Sequence, residues 1–461
     1  MKRRINRRRF LQGSAGITVG AFLAACGAGE VPGSNTPASS AGASPAGGAA
    51  TQAPAGSTGK TQLLLWDGVV EDTAKMDRLV AQFNQAHPDI EVRREAQATE
   101  QIRNVLRTAL DAGQGPDIVS YDTGPGFAGV LAKAGLLLPL DDAYAKYGWN
   151  ERLYPIAKQR TTFDGKAYGI GNDLEVVGVF YNKRIFQEQG LSEPKTHEEL
   201  LQMAEKLKAA GLIPIAFADQ SKWPAGHTFS IFAGNIAGRE KLAQAISGEV
   251  AWNDPDFVRA IQTAFVDMNK AGYFIPEVNA VNYDDWQALF YAGKAAMSLT
   301  GTWQVANYSK PENMTDPVGF FLYPPIDGKP IAPPSGLGNG YFISSKTKNP
   351  EAATQFLDFL FSKETAKFWI EELSRIPSIQ INPADYKVSE LMRFTLDTLQ
   401  KGADTMGYNI DVLTPDNFNT VMGDGFQEVL AGTKTAQQQA DDLQQAMVAA
   451  KAEGKTFDIT P

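Results

Sequence analysis

The sequence predicts an α/β protein organised as two lobes. Three observations lead there. Short apolar runs alternate with segments of helical period from the seventh decade of the chain onward, which is the pattern of strands covered by helices. The length of 461 residues suggests two or three domains. The pattern of strands and helices also changes again near Tyr323-Pro324-Pro325.

Leu63-Leu64-Leu65-Trp66, bounded by Asp67-Gly68, reads as the first strand. Met76, Leu79, Val80 and Phe83 then recur at helical spacing until His87-Pro88, and Ile90-Glu91-Val92 begins a second strand with a right-handed crossover. Ile102, Val105, Leu106, Ala109 and Leu110 mark a second helix that stops at Gly113, and Asp117–Tyr121 reads as a third strand. Asp173–Asn182 is an extended run whose period of two puts Asp173, Glu175 and Tyr181 on one face. Helices are expected at Glu198–Ala210, Phe257–Ala271 and Tyr283–Ala292, with strands at Ile213–Phe217 and Ala295–Leu299 between them. Beyond the Pro-Pro pair, Tyr341–Ser344 reads as a strand. Pro350–Phe361, Glu364–Leu373, Ser389–Gln400 and Thr435–Glu453 read as helices, and no internal repeat is visible.

Composition removes several functions. A single cysteine excludes a disulfide framework and Cys-rich metal sites, and His87, His197 and His227 lack ligand-like spacing, so no metal or cofactor is expected. Lys+Arg 43 against Asp+Glu 52, a net charge of −9, argues against a nucleic-acid partner. No Gly-x-Ser-x-Gly elbow, phosphate-cradling Gly-rich loop or His-Glu-x-x-His segment is present, and no catalytic residue is expected.

The N-terminus reads as an export address. Lys2, Arg3, Arg4, Arg7, Arg8 and Arg9 precede a short apolar stretch from Gly13 to Ala25, too short to span a bilayer. Asn6–Leu11 resembles a twin-arginine signal, and Leu23-Ala24-Ala25-Cys26 resembles a lipobox, which makes 1–25 a signal peptide and Cys26 the lipidation site. Loss of residues 1–25 takes six positive charges from a chain of net −9 and leaves about −15. Residues 26–59, almost wholly Gly, Ala, Ser, Pro and Thr, read as a disordered linker spanning about 30 Å root-mean-square. The expected location is extracytoplasmic, anchored to the cell membrane by lipid.

Trp66-Asp67, Gly115-Pro116-Asp117-Ile118-Val119, Ala134–Leu137, Tyr181-Asn182-Lys183, Gly293–Met297 with Gly301-Thr302-Trp303, and Asn349–Ala353 occur in order. With them the chain resembles the carbohydrate-binding, maltose-binding-protein-like family of ABC-importer solute-binding proteins. The resemblance implies a type II periplasmic-binding-protein-like fold: two α/β lobes, 60–173 plus 325–375 and 174–324 plus 376–461. Crossovers are expected near Gly171–Leu174, Leu322–Pro325 and Arg375–Pro377. It further implies a monomer that closes on an oligosaccharide or other small saccharide and delivers it to integral-membrane permease subunits.

A sugar site needs aromatic platforms together with hydroxyl-binding side chains. Trp223, Trp286 and Trp303 lie beside turn signals and are the candidate platforms, whereas Trp369 sits on an apolar helix face and reads as core. The resemblance places a stacking residue at Trp303 and a hydroxyl-binding carboxylate at Glu175. Asp173 neighbours the latter, Tyr121 and Asp122 end the third strand where α/β folds bind ligands, and Asp67 and Glu71 follow the first. Asn339 in a glycine loop, Arg375 near a crossover, and Asp424 complete the candidates. Thr420–Asp424 lacks the aromatic cluster that maltodextrin binders carry there, which favours a smaller saccharide over a long glucan. The alternatives are the same fold with glycerol phosphate, an oligopeptide or another anion as cargo, a receptor or scaffold role, and an extracellular glycoside hydrolase using paired acids.

Overall fold

Period-two burial sets the first lobe. In strand β1 (Thr61–Asp67) Leu63, Leu65 and Asp67 point inward while Gln62, Leu64 and Trp66 do not. Helix α1 (Thr73–Ala86) buries the expected Met76, Leu79, Val80 and Phe83 and returns the chain to β2 (Ile90–Ala96), which runs parallel to β1. Helix α2 (Thr99–Asp111) buries Ile102, Leu106 and Leu110 and leads to β3 (Ile118–Asp122) on the other side of β1. This is a computed structural model, and it describes residues 59–70, 72–402 and 406–456. The signal peptide, Cys26, the linker through residue 58 and Glu71 lie outside the described residues. No helix among the described residues is long and apolar enough to cross a membrane.

Two long strands tie the lobes together. Strand β4 (Gly169–Asn182) continues into the second lobe, where β5 (Ile213–Ala216), β6 (Ala295–Gly301) and β7 (Val318–Phe321) form its sheet. Strand β8 (Pro334–Ile343) and the short β9 (Gly407–Tyr408) complete a nine-stranded sheet, with the path β2-β1-β3-β8-β4-β6-β5, β7 beside β4 and β9 beside β8, apart from a small two-stranded hairpin at Thr162–Phe163 and Lys166–Ala167. The first part of β4 pairs antiparallel with β8, from Gly169↔Phe342 to Val176↔Ser335. Its second part pairs with β6 and β7, from Val177↔Gly301 to Asn182↔Val318. One core packs against the outer half of β4 and another under β1 and β8, which corresponds to two lobes.

The crossovers differ in part from the expectation. At the first, Asp173 takes φ 59° and the ladder skips from Asn172↔Asn339 to Leu174↔Leu337, a kink within the expected Gly171–Leu174. The Leu174 amide donates to Ile376 O at 2.8 Å, so the segment after Arg375 crosses beside it. The return does not occur at Leu322–Pro325. Tyr323 packs on Phe232 and bonds His197, and Asn235 still holds the Ala332 amide at 3.1 Å, all within the second lobe. The passage is made by β8 itself, since a Pro-Pro pair breaks regular structure without saying where a sheet is crossed.

Of the expected helices, Phe257–Ala271 and Glu364–Leu373 contain π-helical stretches at Gln262–Asp267 and Phe368–Glu372. Trp369 is fully buried, as its helix face suggested. Helix α3 (Trp223–Ala237) had no sequence signature. It buries twelve of its fifteen residues, so it is apolar nearly all round and shows no helical period. Tyr181 does not reach the cleft with Glu175. The two keep the same parity, but β4 changes partner from β8 to β6 between them, and Tyr181, further into the second lobe, packs on Phe186 and donates to Glu193 at 2.9 Å.

Candidate functional site

A cavity of about 900 Å³ lies where the two lobes face each other around the crossover strands. That volume is at the upper end for a small-molecule site. The second lobe supplies an aromatic wall. Trp223 opens α3, preceded by Lys222 with φ 65°, a backbone conformation an L-residue adopts at a cost when the surroundings hold it. Tyr283 opens helix α4 (Tyr283–Tyr291), and Trp303 follows β6 in a single 3₁₀ turn. The rings of Trp223 and Tyr283 are 4.5 Å apart and those of Trp223 and Trp303 5.9 Å. Trp303 Nε1 donates to the Tyr283 hydroxyl at 2.7 Å and Gln304 Nε2 does so at 2.9 Å, which fixes both rings. Burial holds the Tyr283 phenol protonated, and that hydroxyl shares a 2.8 Å bond with Thr300. A Cβ on Gly301 would lie 1.9 Å from the Trp303 ring, so the indole folds back over its own strand only because that residue is glycine.

The first lobe and the crossovers supply polar groups. Arg103 on α2 grips Asp122 at the end of β3 with Nε to Oδ2 at 2.8 Å and Nη2 to Oδ1 at 2.6 Å, a bidentate fork. Burial pulls the Arg103 guanidinium down, but Asp122 outweighs it and the net direction is up. Asn339 on β8 accepts from Ser120 at 2.8 Å. Arg375 bonds Asp173 Oδ2 at 2.5 Å, and burial still raises the Asp173 carboxyl above its ordinary value. Glu175 is raised further, first by burial and then by Asp173. A Cβ on Gly338 would come within 2.7 Å of Glu175 Oε2, so the carboxylate lies directly over a glycine of β8.

Seven of the sequence candidates therefore line one cleft: Asp122, Asp173, Glu175, Trp223, Trp303, Asn339 and Arg375. Four do not reach it. Asp67 points into the core by the parity of β1, where it holds Arg94 at 2.7 Å and accepts from Tyr341 at 2.7 Å. Tyr121, opposite in parity to Asp122 on β3, packs beside Phe127. Trp286 is fully buried behind Tyr283. Asp424 is exposed and pairs with Lys222 on the surface. Glu71 lies outside the described residues.

Residues that the sequence reading passed over complete the site. His227 stands one helical turn after Trp223, its ring 5.1 Å from both Trp223 and Trp303. It meets Asp411 Oδ2 at 3.2 Å and Asn409 at 3.0 Å. Burial pushes the Asp411 carboxyl up, but His227 and Arg103 together bring it below its ordinary value. The i, i+4 spacing of Trp223 and His227 was a signal available in the sequence, had the helix been seen. Asn409 and Asp411 lie in an irregular stretch with no local pattern. Lys310 closes the rim, its Nζ 3.3 Å from Asp72 Oδ2 across the cleft. No group of His, Cys, Asp and Glu suited to a metal ion occurs among the described residues.

Two sheet lobes linked by continuous strands, with a polar and aromatic cleft between them, define a two-lobed binding protein. The chain belongs to the family of bacterial extracellular solute-binding proteins, whose model matches residues 78–390. An uncharacterised ABC transporter extracellular-binding protein of Pyrococcus horikoshii is 28% identical over 73% of this chain and 76% of its own length. The maltotriose-binding protein of Pyrococcus abyssi is 26% identical over 69% of this chain and 67% of its own. Among solved structures, a chitin oligosaccharide binding protein superposes with a TM-score of 0.78 at 26% identity, covering 85% of this chain and 99% of that one.

Proposed function

We propose that this chain is the substrate-binding lipoprotein of an ABC importer, capturing a saccharide between its lobes and handing it to a membrane permease. The observation that carries the reading is the pairing of an aromatic wall, Trp223, Tyr283 and Trp303, with a floor of buried carboxylates and amides. Apolar sugar faces stack on such rings while hydroxyls bond the polar floor. The names of the similar proteins, binders of maltotriose and of chitin oligosaccharides, support the same class. Closure about β4, β8 and the segment after Arg375 is the expected response to ligand.

The floor argues against an anionic cargo, because the cations lining the cleft already face carboxylates: Arg103 faces Asp122, Arg375 faces Asp173 and Lys310 faces Asp72. A hydrolase needs two free carboxyl groups flanking the scissile bond, whereas Asp173 is engaged by Arg375 and shares a strand with Glu175. Twin-arginine export, acylation of Cys26 and a monomeric state belong to this proposal as well.

The test is thermal unfolding of the full chain against mono- and oligosaccharides, glycerol phosphate and peptides, with each ligand analysed afterwards for cleavage. A saccharide at 100 times its dissociation constant adds about 2.7 kcal/mol. Stabilisation by an intact saccharide is the expected result. Stabilisation by anions or peptides alone, or cleavage of the sugar, overturns the reading. For the anchor, Cys26→Ser is expected to release the protein from the membrane fraction, and undiminished retention overturns that part.

A further inference from the structure

We propose that the saccharide carries a protonated amine, and that its ammonium is received between Glu175 and the free oxygen of Asp173 on the floor of the cleft. The inference rests on the saccharide reading and narrows it to amino sugars whose nitrogen is not acylated.

The first argument is charge. Seven carboxylates line the cleft against three Lys or Arg side chains, an excess of four negative charges. Each cation meets an acid, and the acid left over at the centre is Glu175, which among the described residues has neither a hydrogen bond nor an ion pair. The second argument is an orphaned atom. Asp173 is 6% exposed; its Oδ2 is taken by Arg375, while its Oδ1 is buried, has no hydrogen-bond partner, and belongs to a side chain lining the cleft.

The groups around Glu175 deepen its deficit of positive charge. Asp173 precedes it on the same strand, Asp122 with Arg103 approaches from β3 and α2, and Asp411 with His227 approaches from the loop after β9 and from α3. Arg375, already on Asp173, is the one cation among the charges acting on Glu175. Sugar hydroxyls would donate to such a carboxylate but bring no positive charge to hold it ionised in a half-buried site. An ammonium supplies charge-assisted hydrogen bonds to both free oxygens. The facing wall of Trp223, Tyr283 and Trp303 suits a cationic sugar as well as a neutral one, because ring faces attract ammonium groups.

The experiment is calorimetric titration of the full chain with three matched β-linked oligosaccharide series: glucosamine, its N-acetylated form and the glucose form. The glucosamine series is expected to bind about tenfold more tightly than the other two, about 1.4 kcal/mol. Glu175→Gln is expected to bring the glucosamine-to-glucose ratio to about one. If that variant does not fold, Asp173→Asn takes its place and is expected to lower the same ratio, measured at one pH at which the sugar amine is protonated. Equal or tighter binding of the acetylated or glucose series, or a ratio unchanged in the folded variant, overturns the inference and leaves the saccharide reading standing. Failure to bind any saccharide in any series overturns both.

Discussion

The two walls of the cleft solve different problems. The second lobe presents rings held by one another: Trp303 is fixed by the Tyr283 hydroxyl, Trp223 lies against Tyr283, and His227 sits between the two tryptophans. The first lobe presents ions and amides held in pairs, Arg103 on Asp122 and Asn339 on Ser120. Stacking area tolerates many sugars, whereas fixed forks and amides accept few orientations. Affinity is therefore assigned mainly to the aromatic wall and discrimination to the polar one, with the acids of β4 standing where both meet.

The largest effect that sharpens this division lies outside the cleft. Asp67 and Arg94 form an ion pair with side chains 0% and 2% exposed, supported by Tyr341. Asp67→Ala takes from the guanidinium its one buried counter-charge among the described residues, leaving it the exposed Asp77 at 3.0 Å, and should cost about 3 kcal/mol of stability. Denaturant unfolding checks this. A stable variant with weakened sugar binding would place Asp67 in the site instead. Next comes Trp303→Ala, expected to weaken sugar binding by about 1–3 kcal/mol, from the burial of a large side chain, while the unfolding midpoint of the empty protein moves little. Titration and melting of the same variant separate the two. If the midpoint collapses while binding per folded molecule holds, the ring is core and the wall has lost its main member.

Much of the fold was legible because period speaks locally. The apolar stripe of α1 and the short apolar run of β1 each announce an element within a dozen residues. The passages between lobes were less legible, since a strand crossing two sheets looks like any strand, and β8 was read only at its end, Tyr341–Ser344. Within the site, parity decided the outcome. Asp122 and Tyr121 are neighbours on β3, and only one of them faces the cleft. The same alternation that buries Leu63 and Leu65 takes Asp67 inward, but the unbroken apolar run Leu63–Trp66 does not say which parity faces the core. Asn409 and Asp411 were not recoverable, because an irregular segment carries no period and their place is set by contacts with His227 far away in the chain.

A smaller effect concerns pH. Glu175, Asp173 and Asp219 all have carboxyl groups raised by burial, Asp219 with Oδ2 orphaned behind the start of α3. A carboxyl raised in the folded state contributes stability that is present at low pH and lost as pH rises through its folded value. The empty protein should therefore gain stability as pH falls from neutrality toward about 5. At lower pH the carboxylates held below their ordinary values, Asp411 and Asp72 among them, take up protons and the gain reverses. Glu175→Gln should flatten the gain by its share while Asp219→Asn removes another, and melting curves across pH measure both. A Glu175→Gln profile that parallels the wild type would mean that water reaches this carboxylate freely, contrary to its place on the floor.

The smallest expected effect tests whether the two walls are also latched. Lys310 on the second lobe reaches Asp72 on the first at 3.3 Å, and Lys75 holds the other Asp72 oxygen at 2.8 Å. The Lys310 and Asp72 side chains are 22% and 12% exposed, so the bond is only partly shielded and is worth about 1 kcal/mol or less. Lys310→Met removes it without adding bulk to the rim. Because the bond spans the cleft only when the lobes are together, its loss should speed ligand release up to about fivefold and weaken binding by the same factor, with association little changed. Raising the salt concentration should narrow the difference between variant and wild type, as screening dissolves the pair in both. Stopped-flow release measured at low and high salt decides it: a variant difference that persists undiminished at high salt assigns Lys310 to the ligand rather than to the latch.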